Sequence, residues 1–136
     1  MKVTTSWVET LAFDVKADTG HVARLDTSVE SGGSGSGMNP KKMLLGSLCG
    51  CSGIDVVEIL NKMKVPFTKL EIEASAEQTE EHPKVFKSIE MVYRCDVSPD
   101  HLDKLNRAVS LSKEKYCGIS AMLAKHCDIN YSIELI

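Results

Sequence analysis

The chain has 136 residues, 43% of them hydrophobic, which is the length of one domain and enough to bury roughly two thirds of its unfolded surface around a single core. Its 16 Lys and Arg against 19 Asp and Glu leave a formal net charge of −3, so no basic field exists to hold nucleic acid, and none is expected as a partner. The start, Met1-Lys2-Val3-Thr4-Thr5-Ser6-Trp7, lacks the apolar core of a secretion signal, and no uninterrupted apolar run reaches bilayer-spanning length. A soluble, cytoplasmic protein without membrane attachment is expected, as one domain covering residues 1–136.

In chain order, the mixed stretches Lys2 to Leu11 and His21 to Val29 are broken by Asp18-Thr19-Gly20, which predicts an N-terminal β-hairpin. Ser31-Gly32-Gly33-Ser34-Gly35-Ser36-Gly37 has no side chain able to pack and reads as a flexible loop. Its glycines match neither phosphate-binding fingerprint. Asn39-Pro40 then opens a long helix, with Asn39 able to cap the first turn and Pro40 suited to the first helical position. That helix should run to about Met63. Its apolar residues, among them Met43, Leu45, Leu48, Ile54, Val57 and Leu60, wrap most of the circumference with Gly46, Gly50 and Gly53 between them. A helix apolar on several sides must be covered on several sides, and a second subunit is the simplest cover.

Beyond Pro66, Thr68 to Ala76 and Val85 to Val97 alternate at period two and predict two strands joined by a polar turn. Ser98-Pro99-Asp100 starts a short helix with Leu102, Leu105, Val109 and Leu111 inside. Ser112 is positioned to cap a second helix to about His126, with Ile119, Met122 and Leu123 inside, and Asp128 to Ile136 alternates as a final strand. Hairpin, buried helix, two strands, two helices and a strand make an α+β fold, since the βαβ repeat is missing.

The chemistry rests on five cysteines, Cys49, Cys51, Cys95, Cys117 and Cys127, an odd count without the spacing of a small disulfide scaffold. No Cys-x-x-Cys occurs, and Cys49 and Cys51 on one helix point about 200° apart, so they do not share a tetrahedral ion; neither a metal nor a cofactor is expected. Cys95 in a strand, Cys49 facing elsewhere and Cys127 at a helix end read as packing. Cys51 and Cys117 stand in distinctive settings, Leu48-Cys49-Gly50-Cys51-Ser52-Gly53-Ile54 and Glu114-Lys115-Tyr116-Cys117-Gly118. If folding brings these two together, they form a thiol pair suited to redox chemistry on a peroxide or disulfide. The histidines, His21, His82, His101 and His126, each fall near a turn or helix end and read as solvated; Glu114 reads as a helix-surface carboxylate.

Asn39-Pro40-Lys41 through Gly50-Cys51-Ser52-Gly53-Ile54-Asp55-Val56-Val57, followed by Leu111-Ser112-Lys113-Glu114-Lys115-Tyr116-Cys117, resembles the OsmC/Ohr family of osmotically induced and organic hydroperoxide resistance proteins, in wording closest to its YhfA-like branch. The resemblance implies an intertwined homodimer with the long helices central. It implies that Cys51 is the peroxidatic thiolate, that Cys117 resolves its sulfenic acid as a disulfide, and that an external dithiol reduces the pair. In the family a cation activates the thiolate: an N-terminal Arg held by a Glu directly after the helix-start Pro. Here that Glu position is Lys41, and the N-terminal region offers Arg24. Two functions follow as expectations. One is a peroxidase of organic hydroperoxides in oxidative-stress defence, with Cys51, Cys117 and Arg24 as catalytic residues. The other is a dimeric binding protein that traps a small apolar or electrophilic molecule without turnover.

Overall fold

A computed structural model describes the whole chain, Met1–Ile136. The hairpin at Asp18–Gly20 is present, closed by the amide of Ala17 donating to the carbonyl of His21 at 2.9 Å, and it carries one more strand than the sequence signals. β1 (Val3–Glu9), β2 (Ala12–Ala17) and β3 (Val22–Leu25) form an antiparallel meander in the order β1-β2-β3. The unanticipated turn falls at Thr10-Leu11, where Thr10 takes φ 48° although it has a Cβ. The Trp7 indole N–H donates to the Thr10 carbonyl at 3.1 Å and steadies that turn.

The Ser/Gly-rich loop is tied to one side chain. Asp26, 2% exposed, accepts hydrogen bonds from the amides of Thr27, Ser34 and Ser36 and from the hydroxyls of Ser34 and Ser36. The Ser36 amide and hydroxyl, ahead of the other donors, hold its carboxyl far below the usual carboxylate range. A Cβ at Gly33 would meet the Thr27 carbonyl oxygen at 2.3 Å, so the loop's return path requires glycine there.

α1 (Pro40–Lys62) starts where the sequence signals, with the Lys41 amide donating to the Asn39 side-chain oxygen at 2.9 Å. The chain divides into two compact units, Met1–Leu44 and Leu45–Ile136, and α1 begins in the first and continues through the second. In the second unit, β4 (Leu70–Gln78), β5 (Phe86–Cys95) and β6 (Asp128–Leu135) form a sheet in the order β4-β5-β6, antiparallel then parallel. Between β5 and β6 the chain runs through a 3₁₀ turn (Pro99–His101), α2 (Leu102–Leu111), a π-helical turn (Ser112–Tyr116) and α3 (Gly118–Leu123).

Burial follows the period-two pattern on β5, where Ile89, Met91, Tyr93 and Cys95 face the core. They pack with Leu48, Val56, Ile59 and Leu60 of α1 and with Leu105, Ala108 and Val109 of α2. Gly53 is where α1 meets β4, because a Cβ there would lie 3.1 Å from Ile72 Cδ1. The opposite face of β5 carries Arg94, which bridges Glu71 and Glu73 of β4 and Glu134 of β6 at 2.8–3.0 Å.

Within one chain α1 buries one stripe, Leu48, Ser52, Val56, Ile59 and Leu60, while Gly50 and Ile54, about 160–200° around the helix, are open, with Ile54 68% exposed. Two local expectations change. Against the expectation that no apolar run reaches bilayer-spanning length, α1 is by length and composition alone long and apolar enough to cross a membrane; its buried stripe lies in the protein core. Finally, Ser112 caps no helix: α2 passes directly into the π-turn, α3 starts only at Gly118, and the change of phase leaves Met122 66% exposed.

Candidate functional site

Cys51 and Asp55 lie one helical turn apart on a flank of α1, so their side chains project side by side. Cys117 reaches the same place from the end of the π-turn, where its amide donates to the Ser112 carbonyl at 2.8 Å, a five-residue span that the α-helical ladder lacks. The result is a cluster in which the two sulfurs and an Asp55 carboxylate oxygen all lie within 4.8 Å of one another. Folding therefore joins the two thiols that the sequence singles out.

The two sulfurs differ in environment. Cys117 is 2% exposed, and its sulfur accepts the Ser120 amide at 3.3 Å at the head of α3. Burial first, then its hydrogen bond to Cys51, and further the negative field of Asp55, push the Cys117 thiol up to about 11. It therefore keeps its proton at neutral pH and is the donor in its contact with Cys51. Cys51 is half-buried and reachable from outside. All five cysteines are free, and burial raises the thiols of Cys49, Cys95 and Cys127.

Behind the cluster runs a chain of hydroxyls that sequence reasoning missed. The Ser112 hydroxyl donates to Asp55 Oδ2 at 2.9 Å; Ser112 and Ser52 hydroxyls meet at 2.9 Å, and Ser52 and Tyr93 hydroxyls at 2.6 Å. Ser112 gives its one proton to the carboxylate, so Ser52 donates to Ser112 and Tyr93 donates to Ser52. Burial pushes the Tyr93 phenol up to about 12, which keeps it a donor. The four groups form a one-way relay that ends on Asp55 and fixes its carboxylate. The available signal was the Cys51-x-x-x-Asp55 spacing, which puts both side chains on one helix flank.

Arg24 lies on β3 in the N-terminal unit, opposite Asp14 in the β2–β3 register. Its Nε pairs with Asp14 Oδ1 and its Nη2 donates to Asp14 Oδ2 at 3.2 Å, a two-point contact that holds the guanidinium in one orientation. Glu114 and His126 are exposed, as expected; Glu114 accepts from the Ser110 hydroxyl at 3.0 Å, and the His126 ring contacts the Phe86 carbonyl at 3.0 Å.

A sequence profile described as "OsmC-like protein" matches residues 33–132, a span that holds α1, both cysteine motifs, β4, β5 and the first part of β6. The chain belongs to the OsmC-like family. This OsmC-like protein is 34% identical to Protein YhfA of Escherichia coli K12 over 137 aligned positions, covering 100% of this chain and 98% of the relative. A structure of a hypothetical protein from Aquifex aeolicus superposes with TM-score 0.84 at 30% identity, covering 99% of this chain and 95% of the other. The organic hydroperoxide resistance protein OhrB of Bacillus subtilis superposes with TM-score 0.70 at 15% identity, covering 98% and 96%, and shares the OsmC-like fold.

Proposed function

We propose that this OsmC-like protein is a cytoplasmic thiol peroxidase for organic hydroperoxides, the class in the name of its structural neighbour from Bacillus subtilis, working as a homodimer. The observation that carries the reading is the meeting of Cys51 and Cys117, 66 positions apart in sequence, at one site. In the reaction the Cys51 thiolate attacks the distal peroxide oxygen; an S–O bond forms, the O–O bond breaks, and the alkoxide leaves as an alcohol after taking a proton. Cys117 then attacks the Cys51 sulfur, and the sulfenic hydroxyl leaves as water with the Cys117 proton. An external dithiol reduces the resulting disulfide. The high proton affinity of Cys117 suits this division of labour, since a thiol held neutral does not compete for peroxide.

Arg24 is assigned the cation's role, with Asp14 as the carboxylate that holds it. That pair would substitute for the family's Glu at the position of Lys41. The dimer is supported by what one chain leaves uncovered. β1 is exposed along its whole length with Trp7 65% exposed, and α1 leaves Ile54 and the open space over Gly50 beside the Cys51 flank. A second copy seated over the open face of α1 would wall the thiol in with apolar side chains.

The test is turnover. With a dithiol reductant, many equivalents of cumene hydroperoxide are consumed per protomer, and Cys51→Ser abolishes it. Consumption of a single equivalent would overturn the enzyme reading in favour of trapping.

A further inference from the structure

The peroxidase reading uses two of the three groups that meet on the α1 flank. The third, Asp55, has no place in the peroxide step, yet it is the best-anchored member: Ser112, fully buried, donates to its Oδ2, and Ser52 and Tyr93 stand behind Ser112. This anchoring rests on one carboxylate oxygen, Oδ2.

Two thiols and one oriented carboxylate, with donor atoms within 4.8 Å of one another, form the ligand set of a thiophilic divalent ion. A tetrahedral zinc ion with about 2.3 Å bonds to sulfur and about 2.0–2.2 Å to oxygen needs its donors roughly 3.5–3.8 Å apart. Donors no more than 4.8 Å apart at the outset have to draw together by about 1.3 Å at most. Side-chain rotation supplies such a movement without displacing α1 or the π-turn. The hydroxyl relay does for Asp55 what outer-shell partners do for metal ligands elsewhere, holding the carboxylate in place through Oδ2. Two thiolates neutralise a dication, and the carboxylate brings the net charge of the loaded site to −1.

We propose that the reduced protein binds one zinc-class ion through Cys51 Sγ, Cys117 Sγ and an Asp55 carboxylate oxygen, with water in the fourth position. Binding breaks the two S–H bonds heterolytically and releases both protons to solvent, with no change of oxidation state. The bound ion and the Cys51–Cys117 disulfide are then mutually exclusive, because each uses the same sulfur electron pairs, and metal loading protects the thiols from oxidation. Magnesium, which prefers oxygen ligands, is rejected. The site does not depend on the peroxidase reading: it binds metal whether or not the thiols turn over peroxide.

The experiment is a titration of the full-length, reduced protein with zinc against a chromophoric chelator, with cobalt(II) as a spectroscopic probe. One equivalent of zinc per protomer and a thiolate-to-cobalt charge-transfer band are expected. Cys51→Ser and Asp55→Asn should each weaken zinc by at least about tenfold, with circular dichroism showing both variants folded; Cys49→Ser and Cys127→Ser should leave it unchanged. Sub-stoichiometric zinc, a cobalt spectrum without the thiolate band, equal affinity in Asp55→Asn, or equal affinity in the disulfide form would each overturn the proposal. Peroxide turnover measured in excess chelator reads the peroxidase separately, so failure of one leaves the other standing.

Discussion

Replacing Ser112 by alanine deletes the hinge of the hydroxyl relay while removing a single oxygen atom. Ser112 is fully buried, donates to the Asp55 carboxylate and accepts from Ser52, so its loss unpairs both neighbours at once. A hydrogen bond to a charged group contributes about 1.5–3 kcal/mol and a neutral one about 1 kcal/mol. Because Asp55 is only half-buried and regains some water, the lower end applies to it, giving an expected loss of about 2–3 kcal/mol. Urea unfolding at fixed protomer concentration measures this: with a slope of about 1–3 kcal/mol/M, the midpoint should fall by about 0.7–3 M at an unchanged slope. A cycle with Ser52→Ala separates the relay from simple packing. Coupling between the two sites of about 1 kcal/mol is expected, and additive effects within about 0.3 kcal/mol would refute the reasoning.

Three further outcomes follow from the same geometry. The Cys117 thiol is raised from 9.0 to about 11 in the folded chain, so unfolding releases its proton in that interval: its stability contribution is complete below about pH 9 and is lost as pH rises to 11. Unfolding free energy should fall as pH rises through that window, and Cys117→Ala should flatten the fall; an equal slope in the variant excludes Cys117 as its source. Arg24→Ala should lower peroxide turnover by about a hundredfold while leaving the far-ultraviolet circular dichroism intact, and an unchanged rate removes Arg24 from the mechanism. Ile54→Asp, placed on the open face of α1, should convert a dimeric protein to monomers in sedimentation equilibrium, whereas a wild-type protein that is already monomeric at micromolar concentration contradicts the dimer.

The parts of the fold legible in the sequence are those governed by local chemistry. Asn39 and Pro40 announce the start of α1, and the alternation of Ile89, Met91, Tyr93 and Cys95 announces the inner face of β5. What was illegible depends on partners distant in sequence or on backbone states without a residue signature. Thr10 adopts positive φ without being glycine or asparagine, so the β1–β2 turn carried no flag. The Ser/Gly loop seemed free because the group that organises it, Asp26, lies outside it. The π-turn has no composition of its own, and missing it shifted the phase assigned to Met122. At the site, Cys51 and Cys117 stood out by motif, whereas Asp55 acquires meaning only once Ser112, 57 positions away, donates to it.

The most direct test of the account is thiol mapping of the reduced, metal-free protein after one equivalent of organic hydroperoxide. Loss of two thiols per protomer and a peptide cross-link between Cys51 and Cys117 are the expected result. A Cys51 that survives excess oxidant as a free thiol, or one that couples to Cys49 instead, contradicts it.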